Sequence, residues 1–195
     1  MKYVLGLTGP TGAGKSTASK IAEESGFYVI DCDKLTKEVY KKSQVLKAIK
    51  NAFGEEVFSE NLKLDRKKLA EKAFSSKENT ELLNKTVLPF ILEYIKEKIN
   101  DCQNEKILLD APTLFESGAN ALCNDICAVL SLEQNRLNRI ISRDNITKED
   151  ALLRMSAAKK DEYYKARTQH IIYNDENEEN FKAEFSRLLM KLGGN

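Results

Sequence analysis

The sequence lacks an excess of charge of one sign: 31 Lys and Arg residues stand against 30 Asp and Glu, a formal net charge of +1 over 195 residues. A chain whose main partner is a polynucleotide carries a marked basic excess, so nucleic acid is not the expected partner. Long apolar runs are missing as well. None approaches the roughly 20 residues of a membrane-spanning helix, and the first residues pass into a strand pattern without a signal-peptide pattern, so the expectation is a cytoplasmic protein with no membrane partner. Histidine is reduced to His170, and Cys32, Cys102, Cys123 and Cys127 show no C-x-x-C spacing. A zinc site or a disulfide framework is therefore not expected, and the thiols read as reduced and mostly buried. There is no internal repeat and no low-complexity linker, which at this length argues for one domain, as monomer or small homo-oligomer. With 42% hydrophobic and 31% charged residues, the composition is that of a soluble globular protein.

What is present is a glycine-rich stretch near the start, Gly9-Pro10-Thr11-Gly12-Ala13-Gly14-Lys15-Ser16-Thr17. It fits G-x-x-x-x-G-K-[ST], with the apolar run Tyr3-Val4-Leu5-Gly6-Leu7 before it and helical character from Thr17 to Ala22 after it. In such a strand–loop–helix, backbone N–H groups from Gly12 through Ala13, Gly14 and Lys15 to Ser16 surround an anion at the positive end of a helix dipole. Lys15 then reaches the β- and γ-phosphates of ATP, and the Ser16 hydroxyl ligates Mg2+. Thr17 completes the motif.

Farther along, Tyr28-Val29-Ile30 predicts a short buried strand ending at Asp31-Cys32-Asp33. Ligands of parallel α/β sheets bind beyond the carboxyl ends of strands, where this acidic pair falls. One carboxylate can accept a hydroxyl proton and the other can help hold magnesium; the alternative for either is a cap on a helix beginning near Lys34. From Lys34 to about Asn104 the pattern is helical, with apolar faces at Val45, Leu46, Ile49 and Phe53, at Leu69, Ala70, Ala73 and Phe74 behind an N-cap at Asp65, and from Leu82 to Ile99 around Pro89. A right-handed crossover needs only one helix, so the surplus reads as an insertion, either a second-substrate pocket or an enlargement of the core. Lys106–Asp110 predicts the next strand, with Asp110 where P-loop proteins keep a magnesium-associated carboxylate. A strand over Asp125–Ser131 follows. Arg136, Arg139 and Arg143 then share one side of a helix, as a lid over the phosphates or as a solvated basic face. Thr147-Lys148-Glu149-Asp150 resembles a capping box, His170–Tyr173 predicts the last strand with Asn174 just beyond it, and Phe181, Phe185, Leu188, Leu189 and Leu192 a terminal amphipathic helix.

Taken together, these pieces resemble the dephospho-coenzyme A kinase family nearly end to end. The resemblance is carried by Leu7-Thr8-Gly9 with Gly12–Thr17, by Val29-Ile30-Asp31-Cys32-Asp33-Lys34, and by Asp110-Ala111-Pro112-Thr113-Leu114-Phe115-Glu116. Gln134, Arg136, Arg139, Arg143-Asp144 and the Ile171-Ile172-Tyr173-Asn174 ending match too. It implies ATP-dependent phosphorylation of the ribose 3′-hydroxyl of dephospho-CoA. The implied fold is α/β, a three-layer α/β/α P-loop kinase core on a parallel five-stranded sheet, with a helical substrate-binding insertion and a helical lid. The corresponding segments are a core at about 1–33, 105–131 and 165–195, a CoA-binding insertion at about 34–104 and a lid at about 132–164. On this pattern Asp33 is the general base, Asn174 lies near the adenine, and Arg139 and Arg143 belong to the lid. Magnesium falls to Ser16, Asp31 and Asp110. The chain departs from the pattern at Pro10-Thr11, similar instead to the loop of tRNA isopentenyltransferases, at Leu88 and Ala158, where His and Gln are common, and at His170, where an aspartate often opens the strand. Another small-metabolite or nucleoside kinase, and a nucleotide-dependent switch without an acceptor, are the alternatives.

Overall fold

The computed structural model describes residues 2–59, 61, 63–156 and 158–193; the segment expectations lie outside the described residues at positions 1, 60, 62, 157, 194 and 195. In chain order the elements are β1 (Tyr3–Thr8), α1 (Lys15–Glu24), β2 (Tyr28–Asp31), α2 (Cys32–Val39), α3 (Ser43–Phe53), α4 (Arg66–Ala73) and α5 (Lys77–Asp101). These are followed by β3 (Lys106–Asp110), β4 (Asp125–Leu130), α6 (Glu133–Asp144), α7 (Lys148–Ser156), α8 (Asp161–Lys165), β5 (His170–Tyr173) and α9 (Glu178–Gly193). Two compact units divide them: Met1–Cys32 with Ile99–Asn195, and Asp33–Lys98.

The first unit holds a five-stranded sheet in the order β2-β3-β1-β4-β5. All pairings are parallel. Such strands must be covered on both faces, and side chains alternate between the faces. On one face Leu5, Leu7, Leu108, Cys127, Val129 and Ile172 pack with Ala18, Ile21 and Ala22 of α1 and with Phe181, Phe185 and Leu189 of α9. On the other, Ala128 and Leu130 pack against Tyr164 of α8. Burying a side chain such as Phe185 completely stabilises the fold by about 1.5–3 kcal/mol. The α/β fold expected from the sequence is the observed one.

The second unit is helical. Asp65 caps α4, its carboxylate accepting from the backbone N–H of Lys67 and Lys68 at 3.0 and 3.2 Å. Lys42 lies over the Tyr94 ring, 3.5 Å from its centroid. The buried positions of α5 are Leu83, Val87, Ile91 and Ile95, a four-residue repeat that runs through Pro89 without ending the helix. Two residues of the expected apolar faces are exposed: Phe74, 69% exposed, lies just past the end of α4, and Leu82 lies off the narrow stripe that α5 buries. The expected helix start near Lys34 also moves, because α2 opens at Cys32 and so takes Asp33 into its first turn.

No disulfide forms among the four cysteines. Burial pushes the Cys123 and Cys127 thiols up to about 12, so both stay protonated in the folded protein at neutral pH. A raised pKa favours the fold fully below the unfolded thiol's value of roughly 8.5, and that contribution is lost as pH rises through about 12. A thiol-specific disulfide reagent at pH 8 is therefore expected to label the fully buried Cys127 only as the protein opens, and immediately in denaturant. Rapid stoichiometric labelling of Cys127 in the native protein contradicts that placement.

Candidate active site

The loop between β1 and α1 joins the carboxyl end of the central strand to a helix start that has no side-chain cap and no acidic residue in its first turn. Open N–H groups and an uncompensated dipole at such a position favour an anion. Inside the loop the Ala13 amide donates to the Pro10 carbonyl at 3.3 Å, and the amides of Thr17 and Ala18 donate to the Gly14 carbonyl, both at 3.1 Å. Lys15 curls back, its ammonium donating to the carbonyls of Gly9 at 2.7 Å and Pro10 at 3.1 Å. The charge that a phosphate would meet is thus parked on the rim of its own loop.

What sets the loop's conformation comes from more than a hundred residues away. Arg136 of α6 donates from Nε to the Thr11 carbonyl at 3.0 Å. Arg139 reaches the carbonyls of Gly12 and Ala13, each at 3.4 Å, and its other nitrogen donates to the Asn174 carbonyl at 2.8 Å. Asn174 in turn donates from Nδ2 to the Ala13 carbonyl at 2.9 Å, while the Ser131 hydroxyl donates to the Asn174 carbonyl at 2.8 Å. A trans peptide is planar, with C=O and the following N–H opposed. Holding the Thr11 and Ala13 carbonyls towards α6 and β5 therefore sends the Gly12 and Gly14 N–H groups the opposite way. The brace from behind aims the donors in front.

Glycine is required where the brace meets the loop. Gly14 has φ +111, and a Cβ there would lie 2.1 Å from Asn174 Nδ2. Gly14→Ala is expected to lower stability by about 1–3 kcal/mol from backbone strain alone, and to weaken ATP binding at least tenfold by displacing Asn174. Denaturant titration and calorimetric ATP titration measure the two effects. ATP affinity unchanged in a folded Gly14→Ala protein contradicts the brace.

Beside the loop, register pairs Asp31 of β2 with Asp110 of β3, and Asp110 with Leu7 of β1. Partners across parallel strands share a face, so the two carboxylates stand side by side at the carboxyl edge of the sheet. Ser19 of α1 donates to Asp110 Oδ2 at 2.7 Å. Asp33, in the first turn of α2, is exposed and begins the second unit. Among the described residues no three His, Cys, Asp or Glu cluster as a metal site.

The arginine stripe does not act as one surface. Arg136 is buried and Arg139 half-buried against the loop, whereas Arg143 is exposed and bidentate on Asp144, at 2.7 and 2.9 Å. Hydrogen bonding from Arg143, then the charges of Arg143 and Arg154, hold the Asp144 carboxyl below its usual range. Thr147 caps α7, its hydroxyl accepting from Asp150 N at 3.1 Å and donating to the Asp150 carboxylate at 2.9 Å. Between α6, α7, α8 and the ends of β4 and β5 lies a cavity of about 560 Å³, walled by Leu132, Leu152, Met155 and Tyr173 and reaching the loop at Arg136. Ala158 lines it too. His170 is remote from these groups, its ring nitrogen 3.1 Å from Asp125 Oδ1 at the amino end of β4.

Residues 3–180 match the sequence profile described as dephospho-CoA kinase. The chain belongs to the dephospho-CoA kinase family. Curated relatives agree: the dephospho-CoA kinase of Fusobacterium nucleatum is 41% identical over 75% of this chain and 76% of its own length, and that of Enterococcus faecalis is 30% identical over 97% and 96%. Among solved structures, a Thermus thermophilus protein superposes with a TM-score of 0.83 at 25% identity, covering 98% of each chain. The dephospho-CoA kinase of Campylobacter jejuni gives 0.62 at 24% identity, over 98% of this chain and 97% of its own, a likeness of fold. Within the family frame, Ser131 and the loop-facing use of Arg136 are what the sequence reading missed. Only the recurrence of arginine at positions 136 and 139 hinted at the second of these, and it left a lid and a solvated basic face as alternatives.

Proposed function

We propose that this chain transfers the γ-phosphoryl group of ATP to the ribose 3′-hydroxyl of dephospho-CoA, giving coenzyme A. The observation that carries the reading is the loop braced from behind on the central strand of a family member. Its amides are preset for a phosphate chain, which fits a reaction whose catalysis is mainly positioning and electrostatics. Backbone N–H groups of Gly12, Gly14, Lys15 and Ser16 hold the β-phosphate, joined by that of Ala13 as it leaves the Pro10 carbonyl, with Thr17 behind them. Lys15 leaves the Gly9 and Pro10 carbonyls for the β- and γ-oxygens. The adenine lies between the apolar walls of the 560 Å³ cavity, next to Asn174, whose side chain is committed to the loop.

Asp33 accepts the proton of the 3′-hydroxyl as its oxygen forms a bond to Pγ and the bond from Pγ to the bridging oxygen of ADP breaks. Arg139 keeps the loop in register, and Arg143 exchanges Asp144 for the transferring phosphoryl group when the 132–164 segment closes as a lid. Magnesium suits the donors present, which are oxygen only: the Ser16 hydroxyl and the carboxylates of Asp31 and Asp110, a hard set that a water-retaining ion accepts without a larger cluster. When bound, it neutralises charge on the β- and γ-oxygens. The segment 34–104 takes the CoA moiety. The enzyme works in the cytoplasm, as a monomer or small homo-oligomer, without nucleic acid; no helix among the described residues is long and apolar enough to cross a membrane.

Incubation with ATP and a panel of alcohol acceptors, read by mass spectrometry, tests the reading. One added phosphoryl group on dephospho-CoA, with shikimate and nucleosides untouched, is expected. A different acceptor preferred, or ATP hydrolysed equally with every acceptor, overturns it.

A further inference from the structure

The Ser19 hydroxyl has a use that neither the loop motif nor helix formation requires. A serine inside a helix is slightly worse than alanine for helix stability, and its hydroxyl ordinarily bonds back to the carbonyl four residues earlier. Ser25, just past the end of α1, does so, donating to the Ile21 carbonyl at 2.8 Å. Ser19 instead donates its single proton across to β3, to Asp110 Oδ2 at 2.7 Å, a charge-assisted bond. Its place in sequence matters. It follows Lys15 by four residues and Ser16 by three, so all three lie on one side of α1. The helix that presents the phosphate-binding lysine and the magnesium-binding hydroxyl is the same helix that grips the strand-end carboxylate. Asp31 stands beside that carboxylate in register.

We propose that Ser19 is a positioning residue for the metal: it fixes the plane of the Asp110 carboxylate relative to Ser16, so that the affinity of the enzyme–nucleotide complex for a divalent cation depends on it. The inference rests on the assignment of Asp110 to magnesium made above. Ser19 acts on the metal through its hydrogen bond to Asp110.

The test uses the full chain with ATP bound. Mn2+ is titrated into the complex and followed by electron paramagnetic resonance, beside the Mg2+ concentration giving half-maximal velocity. In Ser19→Ala both are expected to rise about 10-fold, the effect of losing an outer-shell partner of a metal ligand. Ser19→Thr, which keeps the hydroxyl, restores them. ATP binding in chelator stays at its wild-type value, which general loosening of α1 would not spare. Asp110→Asn is the reference. If it weakens Mn2+ binding while Ser19→Ala does not, the positioning role is overturned and the Asp110 assignment stands. If neither variant changes Mn2+ binding, the Asp110 assignment fails and the positioning role with it. Loss of metal-free ATP binding in Ser19→Ala equal to its loss of Mn2+ binding also overturns the proposal.

Discussion

Asp33→Asn is expected to lower kcat for coenzyme A formation by about two or more orders of magnitude, with ATP affinity nearly unchanged. The substitution keeps size and shape and removes only the ability to take a proton. Asp33 sits in the first turn of α2, exposed, directly after the strand that ends in Asp31. A carboxylate there is compatible with the positive end of the helix, so its replacement costs the fold only a few tenths of a kcal/mol. It makes no part of the loop brace, which is built from Arg136, Arg139, Ser131 and Asn174. Nucleotide binding should therefore survive. Steady-state kinetics with both substrates varied, beside direct ATP titration, separates the two quantities. Turnover within a few-fold of wild type would remove Asp33 from the reaction.

Lys15→Ala is expected to damage both quantities. In the absence of nucleotide, Lys15 ties the carbonyls of Gly9 and Pro10 together, so its loss frees one side of the loop while the brace holds the other. With nucleotide bound, the missing ammonium leaves charge on the β- and γ-oxygens uncompensated, and that charge grows as the phosphoryl group transfers. Removing one donor to a developing anion costs about 10²–10³ in kcat, and ATP affinity should fall by about tenfold or more. Lys15→Arg is not expected to rescue, because a planar fork cannot occupy the place of a compact ammonium folded over two carbonyls. An Ala variant that bound ATP as tightly as wild type would contradict the assigned contact.

Local signals made much of this chain legible in advance. The glycine-rich loop, the strands over Tyr28–Asp31, Lys106–Asp110 and His170–Tyr173, the Asp65 cap and the Thr147 capping box each depend on residues within a few positions of one another. The sheet follows from the strands, because parallel pairing and right-handed crossovers leave few orders. Less legible was whatever depends on distant partners. Arg136 and Arg139 share a helical face in any reading, yet only the folded chain shows that the face meets the carbonyls of Thr11, Gly12 and Ala13, some 125 residues earlier. Asn174 was expected beside a base; its side chain is spent on Ala13 and Arg139. Nothing in the sequence singles out Ser19, because its partner Asp110 lies on β3. Phe74 and Leu82 fit an apolar periodicity that tertiary packing did not use at those positions.

The most direct measurement is a crystal structure with a non-hydrolysable ATP analogue and dephospho-CoA bound together. In it Lys15 is expected to have moved from the Gly9 and Pro10 carbonyls onto the β- and γ-phosphates, with the Thr11, Gly12 and Ala13 carbonyls still held by Arg136, Arg139 and Asn174. The 3′-hydroxyl is expected within ~3 Å of the Asp33 carboxylate and in line with the γ-phosphorus. A 3′-hydroxyl bound away from Asp33, or a triphosphate seated outside the Gly9–Thr17 loop, would contradict it.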